Sequence, residues 1–339
     1  MKERKIPEPK PLFAERMEKL LPDRKDREKY WEIVKLEPVN SIRVNTLKII
    51  PDELRRKLEN YGWIIRVPWK NFPEIMIVDG KKPTGNVREI IEDGIAKLEP
   101  GELGRSLEHL LGYYYIQELS SMLPVIALNP LPGDRYLDLC ASPGSKTTQA
   151  GASMKNLGVI IANEVSLGRM RILASNLERC GVMNVVVTKK DGRDLTKKFQ
   201  KEKFLLDKVL VDAPCSGEGT LRSSPKTYLM WNIKNVKSLP KLQKQLFENA
   251  FLCLRVGGEI VYSTCTHAPE ENEGVVNDIL EEFGDNIEIV DFELPLKTRA
   301  GINEWEGKKY DARVKKSKRI YPQDNNTEGF FLAKFRRVK

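Results

Sequence analysis

The sequence predicts an α/β protein: a mostly parallel sheet with helices on both faces, preceded by a smaller α+β domain. Three observations carry this expectation. From about residue 135 onward, short apolar runs alternate with amphipathic stretches across brief connections, the pattern of strand–helix–strand units. Seven such runs can be counted there. The first hundred or so residues instead mix helical spacing with isolated strand-like segments.

Taken in order, Pro11 to Leu21 and Asp26 to Val34 space their apolar residues as helices do. Ser41-Ile-Arg-Val-Asn-Thr-Leu reads as a strand with Arg43 and Asn45 on one face. Pro51 to Tyr61 reads as a short helix and Trp63 to Val67 as a strand. Gly104 to Gly112 reads as a hinge ahead of an apolar helix from Tyr115 to Leu128, so the domain boundary is set at Gly112, dividing 1–112 from 113–339. After Pro130-Leu-Pro-Gly the strands follow: Arg135-Tyr-Leu-Asp-Leu, Gly158 to Glu164, Asn184 to Thr188, Lys208 to Asp212, Gly258 to Ser263, Asn286 to Val290 and Gly329 to Phe335. Helices are expected after the Pro/Gly loop at 140–146, from Ser166 to Cys180, from Lys241 to Leu254 and from Glu270 to Phe283.

Bulk properties narrow the function. At 339 residues with 40% hydrophobic content the chain can build two cores. It has no run near the ~18 apolar residues that span a bilayer and begins with charge and proline, so a soluble, cytoplasmic protein is expected. High Lys and Glu with six Gln resemble thermophilic composition. Five cysteines without a C-x-x-C pair, and only two histidines (His109 and His267), argue against a disulfide framework, a metal site or a histidine-based triad. A net charge of +9 suits a polyanionic partner, though charge alone is equally met by a merely soluble protein.

Open α/β sheets bind ligands beyond the carboxyl ends of their strands. That rule selects the loops after Leu139, Asn163, Lys190, Val211 and Ser263. The first carries Cys140, Ala141, Ser142, Pro143, Gly144, Ser145 and Lys146. A phosphate-binding P-loop would need glycines where Cys140 and Ser145 stand, and no G-x-G-x-x-G is present. S-adenosylmethionine, with a ribose diol and a sulfonium but no phosphate, remains. Glu164, ending the second strand, suits the ribose hydroxyls, and Asp191 the adenine side. Any one such acid reads equally well as an exposed loop residue; three at successive strand ends, with Asp212, do not.

Two cysteines follow two strands, in Asp212-Ala-Pro-Cys215-Ser-Gly and Ser263-Thr-Cys265-Thr. Alone, each reads as a small core residue. Together they suit methylation of cytosine carbon 5, where a thiolate adds to carbon 6 and turns the ring into an enamine. Asp212, as a neutral acid, could supply a proton to ring nitrogen 3. Lys146 is the nearest obvious cation, by topology, to stabilise a thiolate. The second cysteine could assist when the thiol leaves.

These segments, with Gly112-Tyr-Tyr-Tyr-Ile-Gln-Glu-Leu-Ser-Ser, Asp191-Gly-Arg and Glu328-Gly-Phe-Phe-Leu-Ala-Lys, resemble the Sun-type (Fmu/Nop) RNA cytosine-5 methyltransferases from about residue 112 to the end. The family loop is usually Cys-Ala-Ala-Pro-Gly-Gly-Lys; here Ser142 and Ser145 replace an Ala and a Gly. The resemblance implies a Rossmann-like class I methyltransferase sheet and an N-terminal RNA-binding domain. It implies that Cys265 is the nucleophile, that Cys215 assists product release, and that residues 140–146, Glu164, Arg169, Asp191 and Asp212 contact the cofactor. Without it, Arg169 reads as a helix-surface arginine.

RNA contacts are expected from Arg43 and Asn45 and from the basic run that includes Lys315, Lys316, Lys318 and Arg319, although such residues are equally at home in solvent. The expected partner is structured RNA, tRNA ahead of rRNA because a compact enzyme suits a small folded substrate. The expected enzyme is a monomer that uses no metal and no membrane. Two other readings remain: DNA cytosine-5 methylation with Cys215 as nucleophile, and an inactive RNA-binding scaffold.

Overall fold

The largest sheet runs, from one edge, through Arg299–Ala300, Lys318–Ile320, Phe330–Arg337, Leu254–Thr264, Leu206–Asp212, Arg135–Asp138, Val159–Asn163 and Val185–Thr188, with Ile287–Val290 paired to the far half of Phe330–Arg337. It belongs to a computed structural model that describes residues 6–85 and 89–339. The five strands from Leu254 to Val185 in this order are mutually parallel, and Phe330–Arg337 is antiparallel to its neighbour. All seven expected strands are present. Two short edge pieces, Arg299–Ala300 and Lys318–Ile320, were not anticipated, because two or three residues carry no readable periodicity.

The central strands are buried on both faces, which is why they read as continuous apolar runs. Their side chains alternate between two cores. Leu137, Val209, Val211, Ile260 and Tyr262 meet the helices Ile233–Phe251 and Glu273–Phe283. Tyr136, Leu210, Val261 and Ile160 meet Leu119–Leu128, Ser145–Ser153 and Leu167–Cys180. Two helices differ from expectation. The helix expected over 241–254 spans Ile233–Phe251 and carries Pro240 within it, the residue that masks its start in the sequence. The helix expected from Tyr115 begins at Leu119; Tyr114–Ile116, rich in strand-favouring residues, is a strand instead.

That strand joins the second sheet, an antiparallel array of Ile91–Glu92, Ile95–Ala96, Ile75–Lys81, Ser41–Val44 and Tyr114–Ile116, with Trp63–Arg66 also on Ile75–Lys81. Helix Pro51–Asn60 covers it through Leu54 and Leu58. Gly104 to Gly112 contains two helical turns, Glu102–Arg105 extending into it and Leu107–Leu110 within it. The helices Pro11–Leu20 and Arg24–Ile33 pack Phe13, Met17 and Tyr30 against Tyr228, Trp231 and Tyr321 of the C-terminal part. No helix among the described residues is long and apolar enough to cross a membrane.

Candidate active site

The parallel strands deliver their carboxyl ends to one rim, as the topology requires. A cleft of about 290 Å³ opens there. Cys140, Ser142, Glu164, Arg169, Asp191, Asp212, Cys215 and Cys265 line it, so five strand ends and the helix that carries Arg169 converge. Ala141, Pro143, Gly144, Ser145 and Lys146 complete the first loop without facing the cleft. Gly144 has φ 104°, a left-handed conformation that favours glycine, and caps helix Ser145–Ser153.

The rim is fastened from behind. Thr147 Oγ1 donates to Asp138 Oδ2 at 2.7 Å, while the other Asp138 oxygen is buried without a hydrogen-bond partner among the described residues. Burial raises that carboxyl to about 7, against the opposing pull of the Thr147 bond. Asn163 ties three loops: its Nδ2 donates to the carbonyls of Leu139 (3.1 Å) and Lys190 (3.0 Å), and its Oδ1 accepts from Thr188 Oγ1 (2.9 Å) and Lys190 N (3.2 Å). Glu164 is buried, accepts from Ser166 N at 2.8 Å and faces Arg169 Nε at 3.5 Å. Arg169 Nη2 donates to Ser142 O at 2.8 Å, bracing the first loop. The Asp191 carboxylate forms a two-pronged pair with Arg193 (2.9 and 2.6 Å), whose hydrogen bond holds it below the usual carboxylate range.

On the other side of the cleft, Asp212 Oδ2 pairs with Lys146 Nζ at 2.7 Å, and Asp212 Oδ1 accepts from Ser263 Oγ at 2.7 Å. Lys146 also donates to Ser121 Oγ at 3.0 Å and lies 5.5 Å over the Phe330 ring. Burial opposes its charge, yet the attraction of Asp212 raises its pKa above the ordinary lysine value, with Cys265 a smaller contributor in the same direction. Asp212 is thus the ion-pair partner of Lys146.

Cys215 and Cys265 lie side by side, with Sγ atoms 3.3 Å apart and both thiols free. Contact with Cys265, and then burial, push the Cys215 thiol well above the ordinary cysteine range.

Arg43, Asn45 and Arg319 do not meet the expectation of RNA contact: all three are buried, their hydrogen bonds spent inside the protein. Arg43 donates to Gln117, Ser145 O (2.7 Å) and Thr148 Oγ1 (2.8 Å). Asn45 bridges the carbonyls of Gly112 (2.8 Å) and Cys180 (2.7 Å). Arg319 pairs with Glu273 at 2.5 Å. Lys318 is held by Asp291 at 2.6 Å, whereas Lys315 and Lys316 are exposed. Residues not anticipated are Asn163, whose place beside Glu164 at a strand end was a usable signal, and the cleft walls Leu242 and Leu246, which in sequence look like any core-facing helix positions.

The chain is 39% identical, over 93% of both lengths, to the tRNA (cytosine(49)-C(5))-methyltransferase of Pyrococcus abyssi. It is 37% identical over 97% of its length to the ribosomal RNA small subunit methyltransferase F of Erwinia tasmaniensis, but spans only 63% of that protein. A crystal structure of a methyltransferase homologue from Pyrococcus horikoshii superimposes with a TM-score of 0.78 at 32% identity, covering 96% of this chain and 95% of that one. A family model described as 16S rRNA methyltransferase RsmB/F matches residues 125–336, and the chain belongs to that family.

Proposed function

We propose that the protein methylates carbon 5 of a cytosine in RNA, with tRNA as the substrate and Cys265 as the covalent nucleophile. The observation that carries this reading is the pair of adjacent thiols, Sγ atoms 3.3 Å apart at the carboxyl ends of two neighbouring parallel strands and beside the Lys146–Asp212 ion pair; the family resemblance gives the attack to Cys265. The relative matched over nearly its whole length is named for tRNA, which favours that substrate over ribosomal RNA.

The donor set fits S-adenosylmethionine. Buried Glu164 suits a ribose diol, Asp191 the adenine edge, and Leu242 with Leu246 an adenine face. When bound, this cofactor supplies an electrophilic methyl group for the enamine carbon. The chain's residues do the rest. The Cys265 thiolate adds to carbon 6, pushing an electron pair through the ring to nitrogen 3. Asp212 relays a proton there from the Lys146 ammonium. Once carbon 5 is methylated, a water molecule takes its proton, the freed electron pair restores the carbon 5–carbon 6 double bond as the Cys265–carbon 6 bond breaks, and nitrogen 3 returns its proton through Asp212 to Lys146; the departing sulfur takes a hydrogen bond from the Cys215 thiol. The target base must leave its stack to reach this rim. Residues 1–112, with Lys315 and Lys316, are assigned to holding the RNA.

The test is methyl transfer from labelled S-adenosylmethionine to unmodified tRNA and rRNA, with nucleoside analysis of the product. The proposal expects 5-methylcytidine, made faster on tRNA and lost in Cys265→Ala. Preferential labelling of rRNA reverses the substrate assignment, and full activity of Cys265→Ala ends the mechanism.

A further inference from the structure

The loop that carries Cys215 hangs on a buried carboxylate outside the cofactor cleft. Glu271 Oε2 accepts from the backbone N–H of Ser216 at 3.0 Å and from Gln243 Nε2 at 2.8 Å. The same Gln243 nitrogen donates to Pro214 O at 2.9 Å, so the residues on both sides of Cys215 are gripped from one point. Glu271 and Gln243 are fully buried, and the backbone carbonyl of Glu271 is fixed by Tyr262 Oη at 2.6 Å. Above this anchor, Ser216 Oγ and Thr266 Oγ1 lie 2.7 Å apart, and Gly219 N donates to Cys265 O at 2.8 Å. Those contacts join the two cysteine loops, and the Glu271–Gln243 bracket holds the Cys215 side from beneath.

A carboxylate in this position is costly. Burial raises it to about 7 even with two donors in place, and its second oxygen has no hydrogen-bond partner among the described residues. A group that expensive, set against one loop, points to a role in that loop's geometry. We infer that Glu271, working with Gln243, is a positioning residue that keeps the Cys215 thiol against Cys265. The inference rests on the assignment of Cys215 to product release. Loss of the bracket should then leave adduct formation intact and slow the departure of Cys265.

Two measurements separate the possibilities. The first is the ratio of trapped covalent protein–RNA complex to methylated product for wild type, Cys215→Ala, Glu271→Ala, Glu271→Gln and Gln243→Leu. Glu271→Ala should raise the ratio about tenfold, the scale set by one lost hydrogen bond to a charged group. Gln243→Leu, which keeps the carboxylate, should raise it less. Glu271→Gln keeps an accepting oxygen and should stay near wild type. The second is oxidation of free enzyme by diamide, which reads the cysteine juxtaposition without RNA: wild type and Glu271→Gln should form a Cys215–Cys265 disulfide readily, and Glu271→Ala and Gln243→Leu several-fold more slowly.

If Cys215→Ala traps no complex, the release assignment fails, and the oxidation rates alone decide the positioning role. The inference is overturned if wild type resists oxidation or if both bracket variants oxidise at its rate. Equal loss of adduct and product also overturns it, as does a Gln243→Leu protein unchanged in both measurements should Glu271→Ala not fold.

Discussion

Lys146→Met removes one charge and little volume from the centre of the rim. The Lys146 ammonium is 2.7 Å from the Asp212 carboxylate, and its side chain is only 10% exposed. At an effective dielectric near 20 their attraction is about 6 kcal/mol. Desolvation of the lysine offsets much of that, and breaking such a pair typically costs about 3–5 kcal/mol because a charge is left without its partner. The Asp212 side chain is 24% exposed and keeps Ser263 Oγ, so the lower end of that range applies. The expected loss is about 3 kcal/mol in urea unfolding at neutral pH, with an unchanged denaturant slope. A cycle with Asp212→Asn isolates the pair: in the Asn background Lys146→Met should cost about 1 kcal/mol, for a coupling near 2 kcal/mol. A single-variant loss under about 1 kcal/mol, with no coupling, would refute the electrostatic account of the rim.

Other outcomes follow from the same geometry. A Cβ at Gly219 would lie 2.2 Å from Gly329 O and 2.9 Å from Cys265 O. Gly219→Ala should therefore cost about 1–3 kcal/mol and lower methyl transfer more than cofactor affinity, read by thermal melts and by titration with S-adenosylhomocysteine. Asn163→Ala loses the ties among three loops and should cost about 2–3 kcal/mol and weaken that titration about tenfold. Glu259 is buried, which disfavours its charge, but Lys208 at 2.6 Å and Lys334 at 3.0 Å overcome this and hold it at about 2, below its usual 4.5. Its stabilisation is complete above about pH 4.5 and lost as pH falls toward 2. It amounts to roughly 2–3 kcal/mol, so the stability gap between wild type and Glu259→Gln should narrow between pH 6 and pH 3.

Much of the architecture was legible because buried parallel strands write themselves as apolar runs: Arg135 to Leu139 and Lys208 to Asp212 needed no further context. Where strands shrink to two residues, as at Arg299–Ala300, or a proline interrupts a helix, as at Pro240, the pattern falls below detection. The convergence of Cys215 and Cys265 could be read from strand ends alone, since parallel topology sends both to one rim. Burial of charge could not. Arg43 and Arg319 are indistinguishable by type from Lys315 and Lys316, yet the first two are buried on internal acceptors while the lysines are exposed. Glu271 was hidden for the same reason, because in sequence it is one acid in the run Glu270-Glu-Asn-Glu. The apolar cleft walls Leu242 and Leu246 likewise share their helix face with core residues such as Phe247.

The central claim is that Cys265 bonds to the cytosine. It is tested most directly by incubating the enzyme and S-adenosylmethionine with tRNA containing 5-fluorocytidine, whose fluorine cannot leave as a proton does, and mapping the trapped nucleotide by peptide mass spectrometry. The account predicts a cross-link on Cys265, absent in Cys265→Ala. A cross-link on Cys215, or undiminished trapping in Cys265→Ala, would contradict it.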